Sequence, residues 1–218
     1  MGFALADAAR ERGARVTLIT TVPPPRPEAY HLVRYVETSA DMREAVLTAC
    51  QSADVLLMAA AVSDFRVTQP AAHKLKKQGQ KLILELVENA DFLLELPDTF
   101  VKVGFAAETQ DLIENARQKL VRKRLAFICA NDVTAPDTGF GVDTNRITIL
   151  HPTGEPEELP LMSKFAVAHE SSTVWYHYCG RPPGTWGKER VEARMTLKPM
   201  VQKPSPGQAL QREPSCGG

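Results

Sequence analysis

The chain has 218 residues with 26 basic and 26 acidic side chains, so its formal net charge is zero and no global field recruits nucleic acid or an acidic membrane. Hydrophobic residues make up 44% and charged residues 24%, which is ordinary for a soluble globular protein with one ample domain and room for a tail. No apolar run approaches the ~20 residues that cross a bilayer, and Arg10 and Arg12 interrupt the Ala-rich start, so no secretory leader and no membrane partner are expected.

Phe3 to Arg12 reads as an Ala-rich helix, with Gly13 placed as its C′ residue. Val16 to Thr20 follows as a short β-branched strand. A helix thus comes first with no strand before it, whereas an α/β domain opens with a strand and a loop at a helix N-terminus. The simplest reading is that the first strand and loop are missing and that Met1 is an internal methionine used as a start. A true, shorter variant is the competing reading. Four prolines between Pro23 and Pro27 stiffen the next loop. Val33 to Glu37 is the second strand. Thr38 or Ser39 is expected to cap a helix through Cys50, with Asp41 in its first turn.

Val55 to Val62 is an apolar run without polar alternation, as in a strand buried on both faces of a central parallel sheet. It breaks into Ser63, Asp64 and Phe65, and the run Lys74-Leu75-Lys76-Lys77 begins ten positions beyond Asp64. Ligands of open α/β sheets sit beyond the carboxyl ends of strands. Asp64 therefore stands where a site belongs, and the lysines supply mobile charge for an anion. A turn followed by a solvated basic loop explains the same residues about equally well. Leu82 to Val87 reads as another strand, Asp91 as the cap of a short helix stopped by Pro97, and Val101 to Ala106 as a further strand.

Thr109 is expected to cap the clearest helix, Gln110 to Arg124, where Lys119 and Lys123 share a face. Basic residues there also complement the helix dipole, and that alone accounts for them. Ala126 to Ala130 is the next strand, Arg146 to His151 and Glu158 to Pro160 form a hairpin around Thr153-Gly154, and Ser163 caps a last helix, Lys164 to Glu170. The alternation argues an α/β, Rossmann-like, doubly wound and mostly parallel sheet. From Ser171 to Gly218, Pro and Gly supply twelve of forty-eight residues and neither Ile nor Phe occurs. Residues 171–218 are therefore expected to be a disordered tail, and residues 1–170 the folded domain. The tail carries seven Lys or Arg against three acidic residues, without the dense charge run of a nucleic-acid arm. Cys50, Cys129, Cys179 and Cys216 lack CxxC spacing and read as free thiols of a reducing, cytoplasmic compartment.

Several of these stretches carry a family resemblance in a fixed order. AAAVSDFR at 59–66, KLKK at 74–77, GFAAET at 104–109, the lysine-rich helix to Lys123 and CANDV at 129–133 together resemble bacterial phosphopantothenoylcysteine synthetase. That CTP-dependent ligase of coenzyme A biosynthesis is often fused behind a flavin-dependent decarboxylase. The resemblance runs from Met1 to about Glu170, with Met1-Gly2 matching the end of a Lys-Met-Gly step. It implies that the carboxylate of 4′-phosphopantothenate attacks the α-phosphate of CTP, and that the amine of cysteine then displaces CMP. It implies a divalent metal such as Mg²⁺, with no residue assigned to it, and it admits a homodimer. Lys74 matches the family's triphosphate lysine and is the catalytic candidate. Met58, Asp64, Phe105, Lys119 and Lys123 match nucleotide contacts, and Val87, Glu88, Asn89 and Ala90 match a backbone-rich segment near the base, where the family carries proline at the position of Ala90. By themselves Met58 and Phe105 read first as core residues. The family's upstream Asn-containing loop has no position in the sequence. Three readings therefore stay open: the ligase, an inactive nucleotide-binding fragment or subunit, and a dinucleotide oxidoreductase. The last requires a GxGxxG turn, which the sequence lacks.

Overall fold

The computed structural model describes residues 1–179 apart from 72, 77–80, 109, 135–136 and 139–140, and at 132 the backbone alone. Lys77, Thr109, Cys216 and residues 180–218 of the expected tail lie outside the described residues.

The chain opens with helix α1 (Gly2–Glu11) and continues through strands β1 (Thr17–Thr20) and β2 (Leu32–Tyr35) into helix α2 (Ser39–Ala49). Strand β3 (Val55–Met58) is followed by β4 (Phe65–Val67), β5 (Leu86–Glu88), a 3-10 turn (Phe92–Glu95), β6 (Val101–Glu108), helix α3 (Leu112–Arg122) and β7 (Phe127–Asp132). The short strands β8 (Thr144–Asn145), β9 (Ile147–Leu150), β10 (Glu157–Glu158) and β11 (Met162–Ser163) lead into helix α4 (Lys164–Cys179).

A five-stranded sheet runs in the order β10-β9-β7-β6-β3, with β3, β6 and β7 parallel and β9 and β10 antiparallel. Alternation along its strands divides the core. Val101, Val103, Phe127, Cys129, Ile147 and Ile149 face Val167 and Trp175 of α4. Ala106, Ile128, Ala130 and Leu150 face Ala116 and Leu120 of α3. On the first of these faces, Leu5 and Ala8 of α1 meet Ala168 of α4. The result is helices on both faces of a mostly parallel sheet, the doubly wound class that the alternation of elements implies.

Helix ends follow local rules. In α1, Gly13 adopts φ +83°, its N–H reaches Arg10 O and that of Ala14 reaches Ala9 O, closing the turn as expected of a C′ glycine. Thr38 and Asp41 form a reciprocal capping box at α2, and the backbone N–H of Thr38 holds the Asp41 carboxyl below its ordinary pKa. Ser163 Oγ accepts from Ala166 N at 3.1 Å at the start of α4. Arg124 takes the left-handed position after α3 (φ 52°) without being glycine. Its guanidinium offsets that strain by binding Asp98 Oδ2 at 2.7 Å and Leu94 O at 3.1 Å.

Five expectations need correction. The apolar run from Val55 forms a strand only to Met58, and it lies at the edge of the sheet instead of its centre. Both its faces are nonetheless covered, Val55 and Leu57 on one side and Leu56 and Met58 on the other. Leu82 to Val87 does not join the main sheet; Leu86–Glu88 pairs antiparallel with Phe65–Val67 in a separate two-stranded ribbon. Asp91 makes no side-chain cap bond, because its carboxylate is drawn to Arg122 and Lys123. The long helix starts at Leu112 behind Asp111 in the left-handed region, with no side-chain cap. Finally, the boundary at 170 falls inside α4, which runs on to Cys179 and buries Ser171, Ser172 and Trp175. Ser171 and Ser172 are accommodated there by donating to Val167 O and Ala168 O one turn back.

Candidate functional site

The carboxyl ends of β3, β6 and β7 point the same way, and the loops that leave them carry most of the residues singled out in the sequence. The register puts Met58 opposite Gly104 and Phe105 opposite Cys129. At Gly104 a Cβ would stand 2.6 Å from Leu125 Cδ1 and 3.3 Å from Ile128 Cγ1, so any larger residue there requires Leu125 to shift. Met58 packs against the core formed by Val36, Met42, Phe92 and Leu96, so its side chain is a packing element. Phe105 packs beside Met1, Leu5, Leu57 and Ala59 under α1 and remains partly exposed.

Beyond β3 the chain turns through Ser63 and Asp64 into the ribbon β4–β5. Asp64 and Asn89, twenty-five positions apart, are brought together: Asn89 N–H donates to Asp64 O at 2.8 Å and Asn89 Nδ2 to Ser63 O at 2.8 Å. Arg66 Nη1 donates to Glu88 O at 2.9 Å and to Asn89 Oδ1 at 3.1 Å, and Ser39 Oγ at the start of α2 donates to the same oxygen at 3.2 Å. Among the described residues the Asp64 carboxylate carries no hydrogen bond or ion pair, and it is exposed. Val87 and Ala90 flank this knot as exposed residues, Val87 pairing with Arg66 across the ribbon.

Lys119 on α3 and Lys123 at its C-cap are both held in ion pairs. Lys119 Nζ meets Glu108 Oε1 at 2.6 Å, and Glu108, at the carboxyl end of β6, is only 12% exposed. Lys123 Nζ meets Asp91 Oδ2 at 3.1 Å beside Arg122 Nη2, also at 3.1 Å. Asp91 follows Asn89-Ala90 directly, so this cation pair borders the Asp64–Asn89 knot in sequence. Lys74 is exposed and makes no contact with the other candidates among the described residues. Sequence reasoning missed Ser39, Ser63, Arg66, Asp91 and Glu108. Ser63 and Arg66 lie inside AAAVSDFR and Glu108 inside GFAAET, so the motifs contained the signal for three of the five.

The Lys102–Asp98–Arg124 cluster lies away from these loops. Lys102, 2% exposed, donates to Asp98 Oδ1 at 2.7 Å at the opposite end of the sheet. Burial opposes ionisation of Asp98, but the Lys102 ammonium and the Arg124 guanidinium outweigh it and hold the carboxyl below its ordinary pKa. Burial pushes the Cys50 thiol up to about 11 and the Cys179 thiol up to about 11, and raises that of Cys129 as well, so none is poised as a nucleophile at neutral pH. Among the described residues no three His, Cys, Asp or Glu side chains converge to hold a metal, and no helix is long and apolar enough to cross a membrane.

A family model described as the DNA/pantothenate metabolism flavoprotein C-terminal domain matches residues 1–174. Among curated proteins, the chain is 46% identical over 174 residues to the coenzyme A biosynthesis bifunctional protein CoaBC of Bacillus subtilis, covering 78% of this chain and 43% of that protein. It is 41% identical over 173 residues to the protein of the same name from Escherichia coli strain K12, covering 75% and 42%. The chain thus spans about half the length of the curated relatives it matches, or slightly less. Among solved structures, the C-terminal domain of a coenzyme A biosynthesis bifunctional protein CoaBC superposes with a TM-score of 0.65 at 32% identity, covering 82% of each chain. The DNA/pantothenate metabolism flavoprotein from Streptococcus pneumoniae superposes with a TM-score of 0.64 at 20% identity and supports the fold alone.

Proposed function

We propose that this chain, which belongs to the DNA/pantothenate metabolism flavoprotein C-terminal domain family, binds CTP and carries the phosphopantothenate–cysteine ligase activity of coenzyme A biosynthesis. The observation that carries this reading is the Asp64–Asn89 knot, with an exposed carboxylate, unpaired among the described residues, just beyond the parallel strands. A carboxylate so placed accepts hydrogen bonds from ribose hydroxyls. The backbone of Val87 to Ala90 lies beside it for the edge of the base. Lys74, with no competing partner among the described residues, is the cation for the triphosphate. Lys119 and Lys123 add charge, and Glu108 and Asp91 hold their ammonium groups in place when no nucleotide is bound.

The reaction needs little covalent chemistry from the protein. The carboxylate of 4′-phosphopantothenate attacks the α-phosphorus, the bond to the bridging oxygen breaks, and pyrophosphate leaves. The amine of cysteine then attacks the acyl carbon, CMP departs, and the amine loses a proton. Fixed cations that meet the charge growing on phosphoryl oxygens lower the first barrier, and holding the two substrates together lowers the second. A divalent metal, to which no residue of this chain is assigned, would supply further charge neutralisation. The second copy in a homodimer would be met by the ribbon β4–β5. Two-stranded ribbons are marginal alone, and Phe65 and Leu86 there, with Leu82 and Leu84 in the segment leading into β5, are all at least half exposed.

Calorimetric titration with CTP and ATP tests the nucleotide, and pyrophosphate release in the presence of 4′-phosphopantothenate tests the reaction. CTP should bind more tightly than ATP, and Lys74→Ala should weaken CTP about ten- to a hundredfold, the value of a charged hydrogen bond. An unchanged CTP affinity in Lys74→Ala would remove that lysine from the site. CTP binding without pyrophosphate release would favour a nucleotide-binding module over the ligase.

A further inference from the structure

The geometry points to Asn89 as a positioning residue that latches the Ser63–Asp64 turn to α2 and thereby aims the Asp64 carboxylate. This inference rests on the CTP reading for its functional half. Asn89 joins three segments distant in sequence: Ser39 at the first turn of α2, Ser63 to Arg66 after β3, and its own position after β5. The orientation of its amide follows from its partners. Ser63 O can only accept and Arg66 Nη1 can only donate, so the nitrogen must face Ser63 and the oxygen Arg66. Arg66 and Ser39 occupy both lone pairs of Oδ1, Ser63 O takes one of the two Nδ2 protons, and the backbone N–H goes to Asp64 O. Only one amide proton is left to meet a ligand. The side chain is spent on the protein, and the group it steadies is the one whose carboxylate has no partner among the described residues. Arg66 contributes to the same latch, because its Nη1 bridges Glu88 O and Asn89 Oδ1 and ties the end of β5 to the start of β4.

A double-mutant cycle tests the latch, with CTP affinity read by calorimetry and amide hydrogen exchange read by NMR on the nucleotide-free full chain. Asn89→Ala is expected to weaken CTP about tenfold. In the double variant with Asp64→Ala the loss should be no larger than in Asp64→Ala alone, because Asn89 acts through Asp64. Asn89→Asp should be as damaging as Asn89→Ala, since it sets an oxygen against the Ser63 carbonyl. Ser39→Ala, which removes one bond only, should lose less. Without nucleotide, Asn89→Ala should speed exchange of the amides from 64 to 67 and of residue 89, while those of α3 stay unchanged. Additive losses in the cycle would overturn the action through Asp64. Unchanged exchange in Asn89→Ala would overturn the latch itself. Faster exchange in a protein whose unmodified form binds no CTP would overturn the nucleotide reading and the positioning role with it, leaving the latch as a structural feature.

Discussion

Replacing Trp175 by alanine should cost more stability than the composition of its surroundings suggests. The residue lies in a stretch rich in Pro and Gly further on, yet it is 5% exposed and packs in the cluster of Phe127, Cys129, Ile147, Ile149 and Val167. An aromatic side chain of this size buries ~200 Å². At ~25 cal/mol per Å² that corresponds to about 5 kcal/mol. The indole Nε1 has no hydrogen-bond partner among the described residues, and an unmet buried donor costs about 1–3 kcal/mol. The net expectation for Trp175→Ala is a loss of about 2–4 kcal/mol, overlapping the usual span of about 3–5 kcal/mol for removing a buried aromatic. Trp175→Phe retains most of the apolar contact and removes the unmet donor, so it should cost about 1 kcal/mol or less. Urea denaturation followed by circular dichroism measures both, with an unchanged m-value as the check on two-state behaviour. A loss below about 1 kcal/mol in Trp175→Ala would show that the second half of α4 is not docked. The boundary at residue 170 would then be the right one.

Gly104→Ala should lower the thermal midpoint by an amount equivalent to about 1–3 kcal/mol, the cost of overpacking a core, since the new methyl would meet Leu125 Cδ1 at 2.6 Å. A scanning-calorimetry trace indistinguishable from that of the parent would show that Leu125 moves aside freely. The carboxyl of Asp98 is held below its ordinary pKa in the folded state. Its contribution is therefore complete above the unfolded value of about 4 and is lost as pH falls through the depressed one. Asp98→Asn should flatten the acid limb of a stability–pH curve below about pH 4, and an unaltered limb would assign acid sensitivity to other groups. The proposed ribbon contact predicts a dimer in sedimentation equilibrium that Leu86→Glu converts to a monomer; a monomeric parent protein removes that contact.

Much of the local structure was legible because the interactions that decide it span only a few residues. Gly13 ends α1 through bonds to Arg10 and Ala9, and Thr38 with Asp41 starts α2. The strands β6, β7 and β9 follow runs of branched and apolar residues, and the order of motifs identified the family. What the sequence could not reveal depends on which distant segments meet. Asp91 reads as a helix cap until Arg122 and Lys123 approach it from thirty-odd positions away. Lys119 and Lys123 read as a solvated helix end until Glu108 and Asp91 are folded against them. Trp175 sits at the edge of a Pro- and Gly-rich stretch whose composition argues disorder, but α4 buries it against Phe127 and Cys129 of β7 and Ile147 and Ile149 of β9. Asp64, Lys74, Phe105, Lys119 and Lys123 were visible in the motifs, whereas Ser39, Asp91 and the pairing of Asp64 with Asn89 were not. Helix and turn signals are contained in the chain's local chemistry, but burial and charge pairing are properties of surfaces that exist only once the sheet has brought its loops together.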